Sequence, residues 1–151
     1  MDDRNLQDLY NYCRSSEHVA TAGQPTEIQL AAVAKAGCTT VINLGLHDAD
    51  YALPDERGTV ESLGLRYIHL PVLWEAPTRD DLERFWEVLK AHEGEDILIH
   101  CAANVRVSVF IALYRIARQG WTPEEALQDI DVEGLPQVWH NLIDETTLKY
   151  S

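Results

Sequence analysis

No uninterrupted apolar run in this chain approaches the roughly 18 residues that a membrane-spanning helix needs. Basic residues are scarce, with 12 Lys and Arg against 25 Asp and Glu among 151 residues, a formal net charge of −13. A surface so negative repels nucleic-acid phosphates and anionic lipid, so neither a nucleic acid nor a membrane is an expected partner. An anionic ligand must instead be held by local geometry, against the overall field. Cysteine is also rare. Cys13, Cys38 and Cys101 are an odd number, which excludes a fully paired disulfide framework, and no CxxC or Cys/His spacing suggests zinc. Neither a metal nor any other cofactor is expected. The opening MDDRNLQDLYNYCR lacks the basic and apolar regions of an export signal. The expected compartment is therefore a reducing cytoplasm, with the periplasm as the alternative if a signal once preceded this segment.

What is present is ordinary for a globular protein: 46% hydrophobic and 25% charged residues. The length fits one domain over residues 1–151, and no repeat, low-complexity tract or linker divides it. A short N-terminal segment, read as helical, leads to a brief strand over His18–Ala22 and a turn at Gly23-Gln24-Pro25. Thr26 is a good N-cap for a helix to Lys35, stopped by Gly37, with Ile28, Leu30, Ala31, Val33 and Ala34 as its buried face. Thr39–Leu44 is β-branched and apolar between glycines and reads as a buried strand. After a long acidic loop, a short helix from Glu56 ends at Gly64, and Leu65–Val72 reads as a second strand. Thr78 and Asp81 form a capping box for a helix to Ala91 whose Leu82, Phe85, Trp86 and Leu89 face inward. Asp96–His100 is another buried strand. It runs through CAANVR into an apolar helix stopped by Gly120, and two further helices follow. Strands alternating with helices predict an α/β fold with a mostly parallel sheet and ligands at the carboxyl ends of its strands.

The segment from His100 to Ser108 carries the chemistry. A thiolate can both attack phosphorus and leave afterwards, and a helix N-terminus with an adjacent cation lowers a thiol's pKa. Cys101 sits just before a predicted helix start. The amides of Ala102, Ala103, Asn104, Val105 and Arg106 can curl around an anion there, and the Arg106 guanidinium can offer it a bidentate fork. Small Ala102 and Ala103 permit close backbone approach. Asn104 tolerates the left-handed backbone angles that a tight loop demands. Ser108, one turn into the helix, can donate to the Cys101 sulfur. His100 is expected to bond to backbone and orient Cys101. Cys13 and Cys38 have no such surroundings and are read as structural.

This segment resembles the Cys-dependent protein tyrosine phosphatase superfamily. Its spacer of four residues between Cys101 and Arg106, rather than five, is similar to that of the bacterial β-lactamase-hydrolase-like phosphatases. AGQPTEIQLAAVAKAGCTTVINL, GLRYIHLPV, APTRDDLERF and ILIHCAANVRVSVFIALYR continue the likeness in order over roughly residues 18–118. Three positions depart from that pattern. Asn104 replaces the loop's usual Gly, Gly45 replaces a common Arg, and Ser108 lies one position later than the branch's hydroxyl.

The resemblance implies a protein tyrosine phosphatase-like fold and a phosphomonoester hydrolase working through a phosphocysteine, on a phosphorylated protein or a small phosphate ester, with phosphate or sulfate binding in the loop. It also implies a carboxylic acid on the loop before the catalytic strand. There Glu75 is the only acid, flanked by Trp74 and Pro77, and Trp74 can line the mouth of the site. Asp48, Asp50, Asp55 and Glu56 are reserve acids. Two other activities share the same motif: a rhodanese-like sulfurtransferase carrying a persulfide on Cys101, and a non-catalytic phosphate- or sulfate-binding module.

Overall fold

The computed structural model describes residues 1–150; Ser151, the last residue of the expected domain, lies outside them. Five strands are β1 (Cys13–Arg14), β2 (Val19–Ala22), β3 (Thr40–Asn43), β4 (Arg66–His69) and β5 (Ile97–His100), and six helices are α1 (Glu27–Lys35), α2 (Glu56–Ser62), α3 (Arg79–Ala91), α4 (Val105–Arg118), α5 (Pro123–Leu127) and α6 (Gln137–Tyr150). The strands form one sheet in the order β1-β2-β5-β3-β4, parallel except for β1. The fold is α/β, as the alternation of elements predicts.

Side-chain alternation along the strands divides the interior in two. Ala20, Ala22, Val41, Tyr67 and Leu98 face Leu30 and Val33 of α1 and Val60 of α2. Ile42, Ile97 and Ile99 face the other way, onto α3, α4 and α6, where Phe85 and Phe110 meet edge to face at 5.5 Å. α4 lies beneath this layer with eight buried residues, which explains why its sequence is apolar on nearly every side. Strand register brings Ala22, His100, Asn43 and His69 into one row at the carboxyl edge, with β5 in the middle. The loop after β5 therefore opens at the centre of that edge.

Local signals hold where they are strongest. Thr26, Thr78 and Thr122 each accept from the third residue of their helix in a full capping box. Four expectations need correction. Ile28 is 84% exposed, because it lies about 200° round α1 from Leu30, on the far side from the stripe that packs. β4 stops at His69, where its partner β3 ends. The N-terminal segment holds only a single 3-10 turn at Arg4–Leu6. Cys13–Arg14 pairs with β2 as an edge strand too short to leave an alternating pattern. No helix among the described residues is long and apolar enough to cross a membrane.

Candidate active site

Cys101 follows the last residue of β5, 1% exposed, and the chain then turns through Ala102, Ala103 and Asn104 into α4. The turn is held from outside. The carbonyl of Ala102 accepts from the Gln24 N–H at 2.9 Å, and that of Ala103 accepts from Asn11 Nδ2 at 2.9 Å. A trans peptide sets its N–H opposite its C=O. The Ala102 carbonyl points out to Gln24, so the N–H of Ala103 in the same peptide points the opposite way, to the inside of the loop. Ala103 pairs with Gly23 in an isolated antiparallel bridge, which ties the turn to the end of β2. The Gly23 backbone lies flat against the turn. A β-carbon there would come within 2.6 Å of the Ala102 oxygen and 3.2 Å of the Ala103 Cα.

Asn104 is the N-cap of α4 at φ +66°, the left-handed conformation that its residue type admits. Its side chain locks it there. Nδ2 donates to the Asn11 carbonyl at 2.8 Å and to Thr21 Oγ1 at 3.0 Å. Asparagine thus fills the usual place of glycine and adds two anchors that glycine lacks. Ser108 does not bond to the sulfur as expected. Its hydroxyl donates to the Asn104 carbonyl at 2.6 Å, a bond back to the preceding turn that a serine four residues on readily makes.

Arg106 sits at the start of α4 yet is only 6% exposed. Nη1 donates to the Val72 carbonyl at 2.8 Å and Nη2 to the Tyr51 hydroxyl at 3.2 Å. Two of its five N–H donors are thereby committed, leaving a fork for an anion. The loop after β4 (70–78) and the loop after β3 (44–54) thus each touch the guanidinium through a single residue.

Beneath the loop lies a buried polar chain. His100, fully buried, contacts Glu56 Oε2 through Nε2 at 2.7 Å and the Cys101 carbonyl through Nδ1 at 3.3 Å. Gln24 Nε2 donates to the other Glu56 oxygen at 2.7 Å. Burial by itself would raise the Glu56 pKa. The hydrogen bonds from His100 and Gln24 outweigh it, so the carboxyl is held below its ordinary 4.5. Glu56 is therefore no spare acid but the support of His100, and His100 bonds to backbone as expected while gaining a carboxylate the motif did not reveal. Asp55 is also spoken for, since it caps α2 by accepting from the Gly58 N–H. Beside them His69, its pKa lowered chiefly by burial, donates to the Gly45 carbonyl at 2.6 Å and stacks on His47 at 3.7 Å.

The remaining candidates lie farther out. Glu75 is exposed at the turn after Trp74. Trp74, 37% exposed, packs on Trp139 at 5.4 Å, and its carbonyl accepts from Trp139 Nε1 at 2.8 Å. Asp48 and Asp50 are exposed. A cavity of about 750 Å³ adjoins the outside of the loop, bordered by Trp74, Ala103, Asn104, Arg115 and Trp121, but Cys101 and Arg106 do not line it. Sequence reasoning missed Tyr51, Asn11 and the bonding role of Gln24. Gln24 had a signal in the GQP run, whereas nothing local distinguishes Tyr51 or Asn11.

Comparison with known proteins agrees with this geometry. The family described as "DSP-PTPase phosphatase fused to NAD+ Kinase" matches residues 5–139. A β-lactamase hydrolase-like protein of Xylella fastidiosa (strain Temecula1 / ATCC 700964) is 27% identical over 104 residues, covering 67% of this chain but 24% of that protein. The chain thus spans about a quarter of that curated relative. A crystal structure of a candidate phosphatase (DUF442) from Shewanella putrefaciens CN-32 superposes with a TM-score of 0.89 at 31% identity, covering 99% of both chains. P. aeruginosa TpbA in complex with phosphotyrosine shares the fold, with a TM-score of 0.70 at 21% identity over 93% of this chain and 90% of that one. With a strand–Cys loop–helix at the centre of a parallel sheet and a family match over most of its length, this chain belongs to the DSP-PTPase family and so to the protein tyrosine phosphatase superfamily.

Proposed function

We propose that the chain is a phosphomonoester hydrolase in which Cys101 is the nucleophile and no metal takes part. The observation that carries this reading is the loop itself. Two carbonyls are pinned outward, an asparagine is locked in the left-handed conformation, and a buried cysteine and a buried arginine stand at the two ends of the turn. Such a cup offers main-chain donors and a guanidinium to the equatorial oxygens of a phosphoryl group.

Cys101 Sγ attacks phosphorus in line, forming an S–P bond as the P–O bond to the leaving group breaks. Glu75 delivers a proton to the departing oxygen, from the loop whose Val72 carbonyl already holds Arg106. Water then attacks phosphorus, cleaving S–P and releasing inorganic phosphate and the thiolate. His100, Glu56 and Ser108 act as positioning residues, the first two under the cysteine and the third on the Asn104 carbonyl. An aryl phosphate such as phosphotyrosine is the favoured substrate class, supported by the phosphotyrosine complex of TpbA.

The test is hydrolysis of p-nitrophenyl phosphate by wild type and Cys101→Ser, with vanadate as inhibitor. Wild type turns over and is blocked by vanadate, and Cys101→Ser loses activity by at least about 10³-fold. Undiminished activity in Cys101→Ser would overturn the assignment.

A further inference from the structure

Position 45 follows β3 and carries no side chain, and the space beside it is filled by Tyr51. A β-carbon at Gly45 would lie 3.1 Å from both Cε1 and Oη of that ring and 3.0 Å from Asn43 Oδ1. Asn43 Oδ1 in turn accepts from the Gly45 N–H at 2.7 Å, which keeps this stretch of backbone in place. The phenol is thus seated against bare backbone, with its oxygen beside the guanidinium.

That oxygen has a specific capacity. It accepts from Arg106 Nη2 at 3.2 Å and from the Leu46 N–H at 2.9 Å. A phenol oxygen has room for about two acceptor bonds and carries one proton of its own. With both acceptor positions engaged, it can address a ligand only as a donor. Among the described residues, no protein acceptor takes that proton. It sits on the guanidinium of Arg106, the arginine that closes the Cys101 loop.

We infer that Tyr51 is a substrate-binding residue whose hydroxyl donates to a phosphoryl oxygen held by Arg106, and that Gly45 is the position that admits it. This rests on the phosphatase reading of the Cys101 loop. A neutral donor suits a chain of net charge −13, because it adds a hydrogen bond to the anion without the cost of seating a second buried cation.

The experiment measures inorganic phosphate binding by calorimetry and vanadate inhibition of p-nitrophenyl phosphate hydrolysis in wild type, Tyr51→Phe, Gly45→Ala and the double variant. Melting temperatures check that each folds. Tyr51→Phe keeps the ring and loses the donor, so phosphate and vanadate should bind about 10- to 100-fold more weakly, as expected for a lost hydrogen bond to an anion. Gly45→Ala should reproduce that loss by displacing the ring, and adding Tyr51→Phe to it should cost nothing more. Unaltered phosphate and vanadate affinity in a folded Tyr51→Phe would overturn the inference while leaving the phosphatase reading intact. A wild type that neither binds phosphate nor hydrolyses the ester would bring down the reading beneath it.

Discussion

Cys38 and Cys101 are both buried at the sheet, and the backbone around them differs in kind. Cys38 follows the last turn of α1 and leads into β3, packed among Leu, Val and Tyr side chains with the Met1 sulfur 3.6 Å away. Its N–H is spent on the Val33 carbonyl at 3.4 Å. Burial, with a smaller contribution from the Asp96 carboxylate, pushes its thiol up to about 11. Cys101 stands at the other end of a strand, where a helix begins rather than ends. The backbone there presents N–H groups where a helix's last turn presents carbonyls. Exclusion from water is common to both sites. The direction of the neighbouring peptide dipoles separates an inert sulfur from one placed beside an anion cup.

That contrast can be broken most forcefully at the cation. Arg106→Lys keeps the charge but loses the planar fork and its tether to Val72, and kcat/KM should fall by about 10²- to 10³-fold. A drop of less than about threefold would show that the cup does not depend on its guanidinium.

Glu56→Gln attacks the support below Cys101. Its Nε2 would present a donor where His100 Nε2 now meets a carboxylate, and an unmet buried polar group costs about 1–3 kcal/mol. Activity should fall along with stability in denaturant, and Glu56→Asp should restore only part of both. The pH dependence has a definite sign. The Glu56 carboxyl is held below 4.5 in the fold, so the unfolded chain takes up its proton first as pH drops. The contribution of this group to stability is therefore full above pH 4.5 and is lost as pH falls through its folded value. The difference in unfolding free energy between wild type and Glu56→Gln should shrink over that interval; a constant difference would remove the carboxylate from the account.

Asn104→Gly and Asn104→Ala dissect the turn. Glycine accepts φ +66° but loses the bonds to Asn11 and Thr21, whereas alanine loses those bonds and adds about 1–2 kcal/mol for the left-handed angle. Alanine should be the less stable of the two by thermal melting.

The smallest effect is the cleanest control. Brief iodoacetamide treatment of the native protein should label exposed Cys13 and spare Cys38. Labelling of Cys38 ahead of Cys13 would contradict the burial that holds its thiol up.

Much of the framework was legible in the sequence because it rests on neighbours in the chain. Threonines three residues ahead of their partners write the capping boxes. Glycines at positive φ, such as Gly37 and Gly64, write the helix ends. β-branched runs write the central strands. Cys101, Arg106 and the left-handed Asn104 lie within six residues and could be read together. Errors arose where the partner is remote. Ile28 turned out exposed because the neighbouring elements decide which face of a helix is covered, and Glu56 passed from spare acid to buried support because His100 is 44 residues away.

From sequence alone came the alternation of strand and helix, the loop with its cysteine and arginine, and a charge balance that leaves anion binding to local donors. These depend on dihedral preference, periodicity and residue type, which act over a few residues. Only the folded structure brought Tyr51 to Arg106 and Gln24 and Glu56 to His100, and turned the Ala102 and Ala103 carbonyls toward Gln24 and Asn11. A hydrogen bond acts over about 3 Å in space and is indifferent to the number of residues between its partners. Strand order and register therefore had to exist before these partners could meet.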